Sequence, residues 1–271
     1  MEGRWKNGRD LSDQAEAIFR DQCTGVTWEL DTAHSFSNWS MFFLGDVAEL
    51  MRRLPILRKE ALERGDLYAA TNLGTFVGYL PWLAADDPAG ARRDLSDVMQ
   101  QWSHQGFHVQ HLTGLMAQVQ IDLYEGDGEA ALAHLREQWR TLRSSMFLRV
   151  QTVRIFMHNL RARGALAAAA RALDPRPLLR SAEQDAARIE REKMPWSNPI
   201  AQLIRAGLAT VRGNRSEATE RLGSAVSSFD ATDMGLFAAA ARRRLGELLA
   251  DDSGAKLIDE ASVWMAGQRI E

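Results

Sequence analysis

The apolar positions of this chain recur at helical spacing, in segments that end in short polar turns. In GEAALAHLREQWRTL, which begins at residue 128, apolar side chains follow one another at three- and four-residue intervals, as at Leu135, Trp139 and Leu142. This spacing places them on one face of an α-helix. Runs of β-branched residues bounded by turns, which are typical of strands, are scarce. The pattern therefore predicts an all-α protein.

The polar turns recur along the chain. They occur in FFLGDVAELM, WLAADDPAGARRDL, DLYEGDGEAALAHL, TVRGNRSEATERL and LLADDSGAKLIDEA, near residues 45, 86, 126, 213 and 251, with a further turn expected at 172–177. Gly or Asn can end a helix in the left-handed conformation, and Asp, Ser or Pro can begin the next one. A spacing of about 40 residues indicates stacked helix pairs. We predict a tetratricopeptide-like right-handed superhelix of about six pairs.

The turns divide the chain into first and second helices of each pair, after a leading helix at Leu11–Cys23. The predicted first helices are 28–44, 66–84, 108–125, 147–164, 196–212 and 234–250, and the second helices are 47–64, 88–105, 128–144, 177–193, 215–230 and 254–267. Residues 1–271 are predicted to form a single helical-repeat domain. Within it, residues 1–10 are expected to be disordered, and 165–177 to be an irregular insertion or the end of a long helix.

The first helices carry stripes of polar or small side chains, and in a tetratricopeptide-type superhelix these helices line the concave groove. The predicted groove residues are Trp28, Asp31, His34, Asn38, Tyr68, Thr71, Thr75, His111, Gln118, Gln151, Arg154, His158, Trp196, Asn198, Gln202 and Arg205. The aromatic ones among them would anchor a partner. The alternative is that each helix merely has a least apolar face and that the tryptophans belong to the core.

Charge and cysteine content restrict the classes of partner and the cellular compartment that the sequence predicts. The formal net charge is −3 and the pI is about 6.1, so the chain has no positive field to attract nucleic acid. The short basic clusters, Arg161 with Arg163 and Arg242–Arg244, are predicted to lie on solvated helix faces. The single cysteine, Cys23, indicates a reducing compartment, and no signal peptide or long apolar run is found. The prediction is a cytoplasmic protein with no nucleic-acid or membrane partner.

Sequence motifs for catalysis are missing. His108 and His111 lie one helical turn apart, a spacing that can share a metal, but the chain has neither HExxH nor a cysteine near them. On a helix, Glu29 and Asp31 would point in nearly opposite directions and could not act as an acid and base pair. No GxxxxGK[ST], GxGxxG or GxSxG occurs. The chain is therefore predicted not to be an enzyme and to need no metal or cofactor.

Several longer phrases resemble one protein family. TGVTWELDTAHSFSNW, RKEALERGDLYAATNL, WLAADDP, WSHQGFHVQH, AQVQIDLYEGD and AARRRLGELL are similar to the C-terminal helical-repeat region of large bacterial serine/threonine kinases of the myxobacterial type. In that family a kinase domain and an ATPase module precede the repeats, and the resemblance covers nearly all of residues 15–267. It implies a signalling context, with kinase or ATPase domains of the same system as possible partners, but the kinase motifs themselves are missing here.

These observations predict a non-catalytic scaffold or regulatory domain that binds a protein or peptide along its concave groove. The alternative is a regulatory domain that senses a small effector, and a hydrolase or metalloenzyme on a helical scaffold is a third possibility. A deep pocket beneath Trp28 and His34 would favour a small effector, whereas an open trough would favour a peptide.

Overall fold

The computed structural model describes residues 2–271, and this part of the chain folds as α-helices without a β-strand. A single 3₁₀ turn at Phe147–Arg149 adds to them. The helices are α1 (Trp5–Gln22), α2 (Thr27–Leu44), α3 (Val47–Glu63), α4 (Leu67–Phe76), α5 (Leu80–Ala84), α6 (Pro88–Gln100), α7 (Val109–Tyr124), α8 (Gly128–Ser144), α9 (Gln151–Ala169), α10 (Arg176–Arg191), α11 (Asn198–Val211), α12 (Arg215–Ala231), α13 (Gly235–Leu249) and α14 (Asp252–Gly267). The predicted all-α class is confirmed.

The helix starts follow the capping residues that the sequence offers. The side chains of Asp66, Asp87, Asp127, Asn214 and Asp251 each accept a hydrogen bond from the backbone N–H group three residues later. Such caps satisfy N–H groups that have no partner within the helix. This is why several predicted bounds agree with the structure, as they do for 128–144 in α8.

The N-terminal segment differs from the prediction. Residues 5–10 were expected to be disordered, but they form the first turns of α1, because Trp5 is buried and packs against Phe43. Met1 lies outside the described residues. Residues 165–169 extend α9, as the long-helix alternative for 165–177 predicted, and 170–175 connect it to α10.

The predicted first helix at 66–84 is broken in two. Residues 77–79 separate α4 from α5. Pro81 is the cause, because in a continuous helix it could not donate a hydrogen bond to the carbonyl of Val77 and its ring would clash there. In the first turn of α5 the proline is tolerated. The break turns Tyr79 into the interior, where it is 5% exposed.

Side chains about one repeat apart link successive helix pairs. The hydroxyl groups of Thr75 and Thr113, 38 residues apart, are 2.8 Å from each other. Arg58 Nη1 donates to Asp94 Oδ1 at 2.6 Å across 36 residues. These contacts give the fold its repeat-like character. The right-handed superhelix of six equivalent pairs stays a prediction.

The end of α2 lies directly against the start of α13. Gly45 has φ +81°, and a Cβ on it would come within 2.6 Å of the backbone N of Leu236. A Cβ on Gly235 would come within 2.7 Å of the carbonyl O of Leu44. The two glycines therefore allow the backbones to approach closely. Near this contact, Lys6 Nζ lies 2.5 Å from Asp233 Oδ1.

An aromatic cluster joins the same early and late parts of the chain. Trp5 stacks on Phe43 with ring centroids 3.8 Å apart, and Trp196 packs edge-on against both rings at 5.6 and 5.2 Å. Phe156 of α9 lies 5.6 Å from Phe43. Large buried rings contribute strongly to core stability. The early helices are thus held against α9 and the segment before α11.

No helix within residues 2–271 has both the length and the apolar character needed to cross a membrane.

We predict that Gly45→Ala destabilises the protein more than Gly65→Ala. Both glycines end a helix with positive φ, but a Cβ on Gly65 would meet no atom within 4 Å. Gly65→Ala should cost only the left-handed backbone strain, about 1–2 kcal/mol. Gly45→Ala should cost roughly 1–3 kcal/mol more, because the new Cβ would overlap α13. Urea unfolding measures both values, and equal losses would contradict the contact between α2 and α13.

Candidate functional site

A large cavity lies between helices from the early, middle and late parts of the chain. It has a volume of about 510 Å³, within the range usual for small-molecule sites. Its walls come from α2, the α4–α5 segment, α7, α9, α11 and α13. We call it the central cavity. It is lined by Phe42, Val47, Tyr79, Leu80, Leu83, Ala84, Gln120, Tyr124, Asn159, Arg163, Leu166, Ile200, Leu203, Ile204, Leu236, Phe237, Ala240 and Ile270.

Most of the central cavity wall is apolar, and three of its polar side chains form one short hydrogen-bonded series. Arg163 Nη1 donates to Gln120 Oε1 at 2.7 Å. Gln120 Nε2 in turn lies 3.4 Å from the hydroxyl O of Tyr79 and donates to it. Arginine has no acceptor, so the contact with Arg163 sets which end of the Gln120 amide faces it. The donor and acceptor ends of the Gln120 amide in the series Arg163–Gln120–Tyr79 are therefore fixed by which groups can donate and accept.

These hydrogen bonds leave several N–H and O–H donors unused at the cavity. Arg163 retains four of its five N–H donors, since only one N–H is used on Gln120. The Tyr79 oxygen accepts from Gln120, which leaves its O–H free to donate. Asn159, which is 6% exposed, lies on the same helix as Arg163 and adds an amide group to the cavity wall. The polar part of the cavity is suited to a ligand that accepts hydrogen bonds.

The protein environment of the central cavity shifts the pKa values of Tyr79 and Arg163 in opposite directions. Burial raises the pKa of Tyr79 to about 12, so the phenol keeps its proton at neutral pH. Burial also lowers the pKa of Arg163, and within residues 2–271 no carboxylate offsets this effect. The Arg163 side chain is solvent-accessible because it projects into the cavity, yet protein surrounds it. An uncompensated guanidinium in such a place favours an anion.

The sequence analysis placed Arg161 and Arg163 on a solvated helix face. This is wrong for Arg161, which is tied to the buried Asp185, whereas Arg163 is exposed but faces a cavity. Arg163 lines the central cavity. Arg161 bonds to Asp185 through two nitrogens and lies over the Trp139 ring, 4.3 Å from its centroid. The positions are two residues apart on α9, so they leave the helix on different sides. The sequence did not indicate that Arg163 faces a cavity.

Four of the predicted groove residues meet in a second, smaller pocket. Asp31, His34, Asn38 and Tyr68 line a space of about 170 Å³ between α2, α4 and α7. The first three are buried, at 8%, 5% and 3% exposed. Their spacing of three and four residues puts them on one face of α2, as predicted. We call this space the polar pocket. Trp39 and Asn72 also line it, although neither was predicted.

Other predicted residues are hydrogen-bonded to their own helix or to a neighbouring one. Gln151 Nε2 donates to Glu192 O at 3.2 Å, and Arg154 holds both carboxylate oxygens of Glu192, at 2.7 and 2.8 Å. Gln118 Nε2 donates to Asp122 Oδ1 at 3.1 Å. The same is true on α11, where Gln202 accepts from Arg221 Nη1 at 3.1 Å and Arg205 bonds to Glu190.

The remaining predicted residues are scattered. Thr71 donates to the carbonyl O of Leu67, Thr75 contacts Thr113, and His111 Nδ1 accepts from the backbone N–H of His108. Trp196 is fully buried, whereas Trp28 is 61% exposed and Asn198 is exposed at the start of α11. Their assignment to a partner-binding groove stays a prediction. The structure does not bring these residues into one site.

Asp185 of α10 is the centre of a buried cluster that holds α9 in place. His158 Nδ1 lies 2.9 Å from Asp185 Oδ1, and Arg161 and Arg188 bond to the same carboxylate. Burial acts to raise the pKa of Asp185, but the hydrogen bonds from His158 and Arg161 outweigh it, and the pKa falls below its ordinary value. His158 therefore has a structural partner within the fold.

Comparison with protein-family models, with curated proteins and with solved structures found no match to the chain.

We predict that Asp185→Asn lowers the free energy of unfolding by about 1.5–3 kcal/mol at neutral pH, because the partly exposed Arg161 and Arg188 lose a charged hydrogen-bond acceptor. Asp174→Asn is the control, since Asp174 pairs with Arg176 at the exposed start of α10 and should leave stability unchanged. The folded-state pKa of Asp185 is depressed, so its stabilisation is lost as pH falls through the carboxylate range. The gap between wild type and Asp185→Asn in urea unfolding should therefore narrow in acid. A gap as small as that of the control would contradict a structural role for this cluster.

Proposed function

We propose that the chain is a regulatory domain that binds a small, mostly apolar carboxylate in the central cavity. One observation carries the proposal: Arg163 projects into an apolar cavity with four unused N–H donors and no carboxylate partner within residues 2–271. A ligand carboxylate would accept from Arg163, and from the Tyr79 hydroxyl where its geometry allows. The ligand's apolar body would replace water along Phe42, Leu166 and Phe237.

The position of the cavity supports a regulatory role. Helices from the early, middle and late parts of the chain contribute to its wall, so a ligand would contact all of these parts at once. A ligand that binds only when these helices are assembled stabilises that assembly by mass action. It can change the packing only by binding one arrangement better than another. This corresponds to the small-effector alternative drawn from the sequence.

The signalling context remains part of the proposal. The resemblance to the C-terminal repeats of bacterial serine/threonine kinases would place such a domain beside a kinase or ATPase module. A ligand-dependent change in the repeats would then be transmitted to that partner. No catalytic step is assigned to this chain.

A protein or peptide partner is a second candidate, and one observation favours it. Trp28, Tyr68 and Trp102 form a row of rings with centroids 5.1 and 6.2 Å apart, and Trp28 is 61% exposed. Rigid aromatic side chains are frequent anchors at protein interfaces. This row lies at the α2 and α4 side of the chain and does not line the central cavity.

The proposal predicts selective binding of an apolar carboxylate. Decanoate, used below its micelle concentration, should raise Tm and bind in isothermal titration calorimetry, while decylamine should not bind. Arg163→Met should weaken decanoate binding about 10–100-fold, because a charge-assisted hydrogen bond is worth roughly 1.5–3 kcal/mol. Arg163→Lys should retain part of the affinity, since it keeps the charge.

Two controls separate binding from folding. Arg180→Met removes an exposed arginine on α10 and should leave decanoate binding unchanged. Without ligand, Arg163→Met should have a Tm close to that of wild type, because the exposed Arg163 side chain makes a single hydrogen bond, to Gln120. Equal decanoate affinity of wild type and Arg163→Met, or no binding by a folded wild type, would refute the proposed function.

A further inference from the structure

The polar pocket between α2, α4 and α7 is separate from the central cavity and has a different character. Its α2 wall presents Asp31, His34 and Asn38, and its α4 wall presents Tyr68 and Asn72. The α7 wall contributes Val109 and Thr113, so no ionisable side chain of α7 lines it. The two spaces share no lining residue, and each can be tested without the other.

The pocket has an excess of negative charge at one end. Asp31 is buried, and the carboxyl group of Asp66 lies beside it. Both carboxyl groups share one cation, because Arg64 Nη2 is 3.2 Å from Asp31 Oδ1 and 4.0 Å from Asp66 Oδ2. With both acids ionised, this group carries one uncompensated negative charge. Two close carboxylates favour an additional proton or cation.

A second, independent feature indicates a missing ligand. The Asn38 side chain lines the pocket and is 3% exposed, and its Oδ1 has no hydrogen-bond partner. A buried amide oxygen without a partner is costly and uncommon in folded proteins. Asn38 lies seven residues after Asp31, two turns along the same helix face. A ligand with N–H groups can satisfy both positions along this wall.

Aromatic rings complete the site. Trp39, Tyr68 and Phe76 line the pocket together with the polar groups. The Trp39 and Phe76 rings are 4.7 Å apart between centroids. The faces of such rings attract cations, most strongly where water is excluded. Carboxylate, amide oxygen and aromatic walls are together suited to an organic ammonium ion.

We propose that the polar pocket binds a small organic ammonium ion, whose ammonium group is held by Asp31, whose organic part packs against Tyr68 and Trp39, and which donates a further N–H group to Asn38.

The charge state of Asp31 makes this binding depend on pH. Burial, and after it the neighbouring Asp66, raises the pKa of Asp31 to about 7, while Arg64 acts in the opposite direction. The other charged or titratable groups around this wall are His34 on α2, Glu16 and Arg20 on α1, and Glu60 on α3. Burial lowers the pKa of His34 despite its contact with Glu16, so His34 is neutral near pH 7. An ammonium ion would displace the Asp31 proton.

Benzylammonium is a suitable probe, with benzyl alcohol and benzoate as uncharged and oppositely charged controls. Isothermal titration calorimetry at about pH 8.5 should show binding of benzylammonium and none of benzoate. Its affinity should fall about tenfold for each pH unit below about 7, since Asp31 must then lose a proton. Asp31→Asn should weaken binding at least about tenfold and remove this pH dependence.

Matched variants keep the result independent of folding. Glu29→Gln changes an exposed carboxylate two residues earlier on α2 and should bind benzylammonium like wild type. Asn38→Leu should bind benzylammonium like wild type, because the single ammonium group of this probe is held by Asp31 two helical turns away. Its Tm without ligand should equal that of wild type or rise, because the unpartnered amide is removed.

Three outcomes would overturn the proposal. One is that folded wild type fails to bind benzylammonium at about pH 8.5, and another is that benzyl alcohol binds as tightly. The third is that Asp31→Asn retains wild-type affinity for benzylammonium. Decanoate binding tests the central cavity separately, so either site can fail alone.

Discussion

The contact between the end of α2 and the start of α13 determines whether these two helices close one side of the central cavity or leave an open groove between them. Gly45 and Gly235 allow two backbones to meet where any side chain would collide. Trp5, Phe43 and Trp196 support the contact from the other side of α2. Because Phe42 and Phe237 line the central cavity from these two helices, separating them would open its wall to solvent. The proposed carboxylate site therefore depends on this contact.

The two candidate sites differ from the rest of the interior in how their polar groups are paired. Asp185 and Glu192 each hold cations from α9, and such satisfied pairs define packing without offering a binding site. At Arg163 and at Asp31 the balance is incomplete, with unused donors in one place and surplus acceptors in the other. Incomplete pairing costs stability, and a ligand of the complementary charge would offset that cost. Opposite imbalances in two separate spaces are the physical basis for proposing an anion in one and a cation in the other.

The helices could be predicted from the sequence far better than the faces they present. Caps such as Asp127 and turn glycines such as Gly45 are local signals, so they identify helix ends without tertiary information. Which side of α9 faces the cavity depends on where α10 and α11 lie, and the stripe at Arg154 and His158 turned out to face Glu192 and Asp185 of the α9–α10 pair. The stripe at Asp31, His34 and Asn38 does line a pocket, because α4 and α7 leave space beside it. The burial of Trp5 could not be predicted for the same reason, since Trp5 packs against Phe43 and Trp196, which lie far from it in the sequence.

A crystal structure of the ligand-free protein tests the central claim most directly. The account predicts that Gly45 packs against the backbone of Leu236 and that Arg163 projects into a cavity lined by α2, the α4–α5 segment, α7, α9, α11 and α13. A structure in which solvent separates α2 from α13, or in which a carboxylate of the chain forms an ion pair with the Arg163 guanidinium, would contradict it.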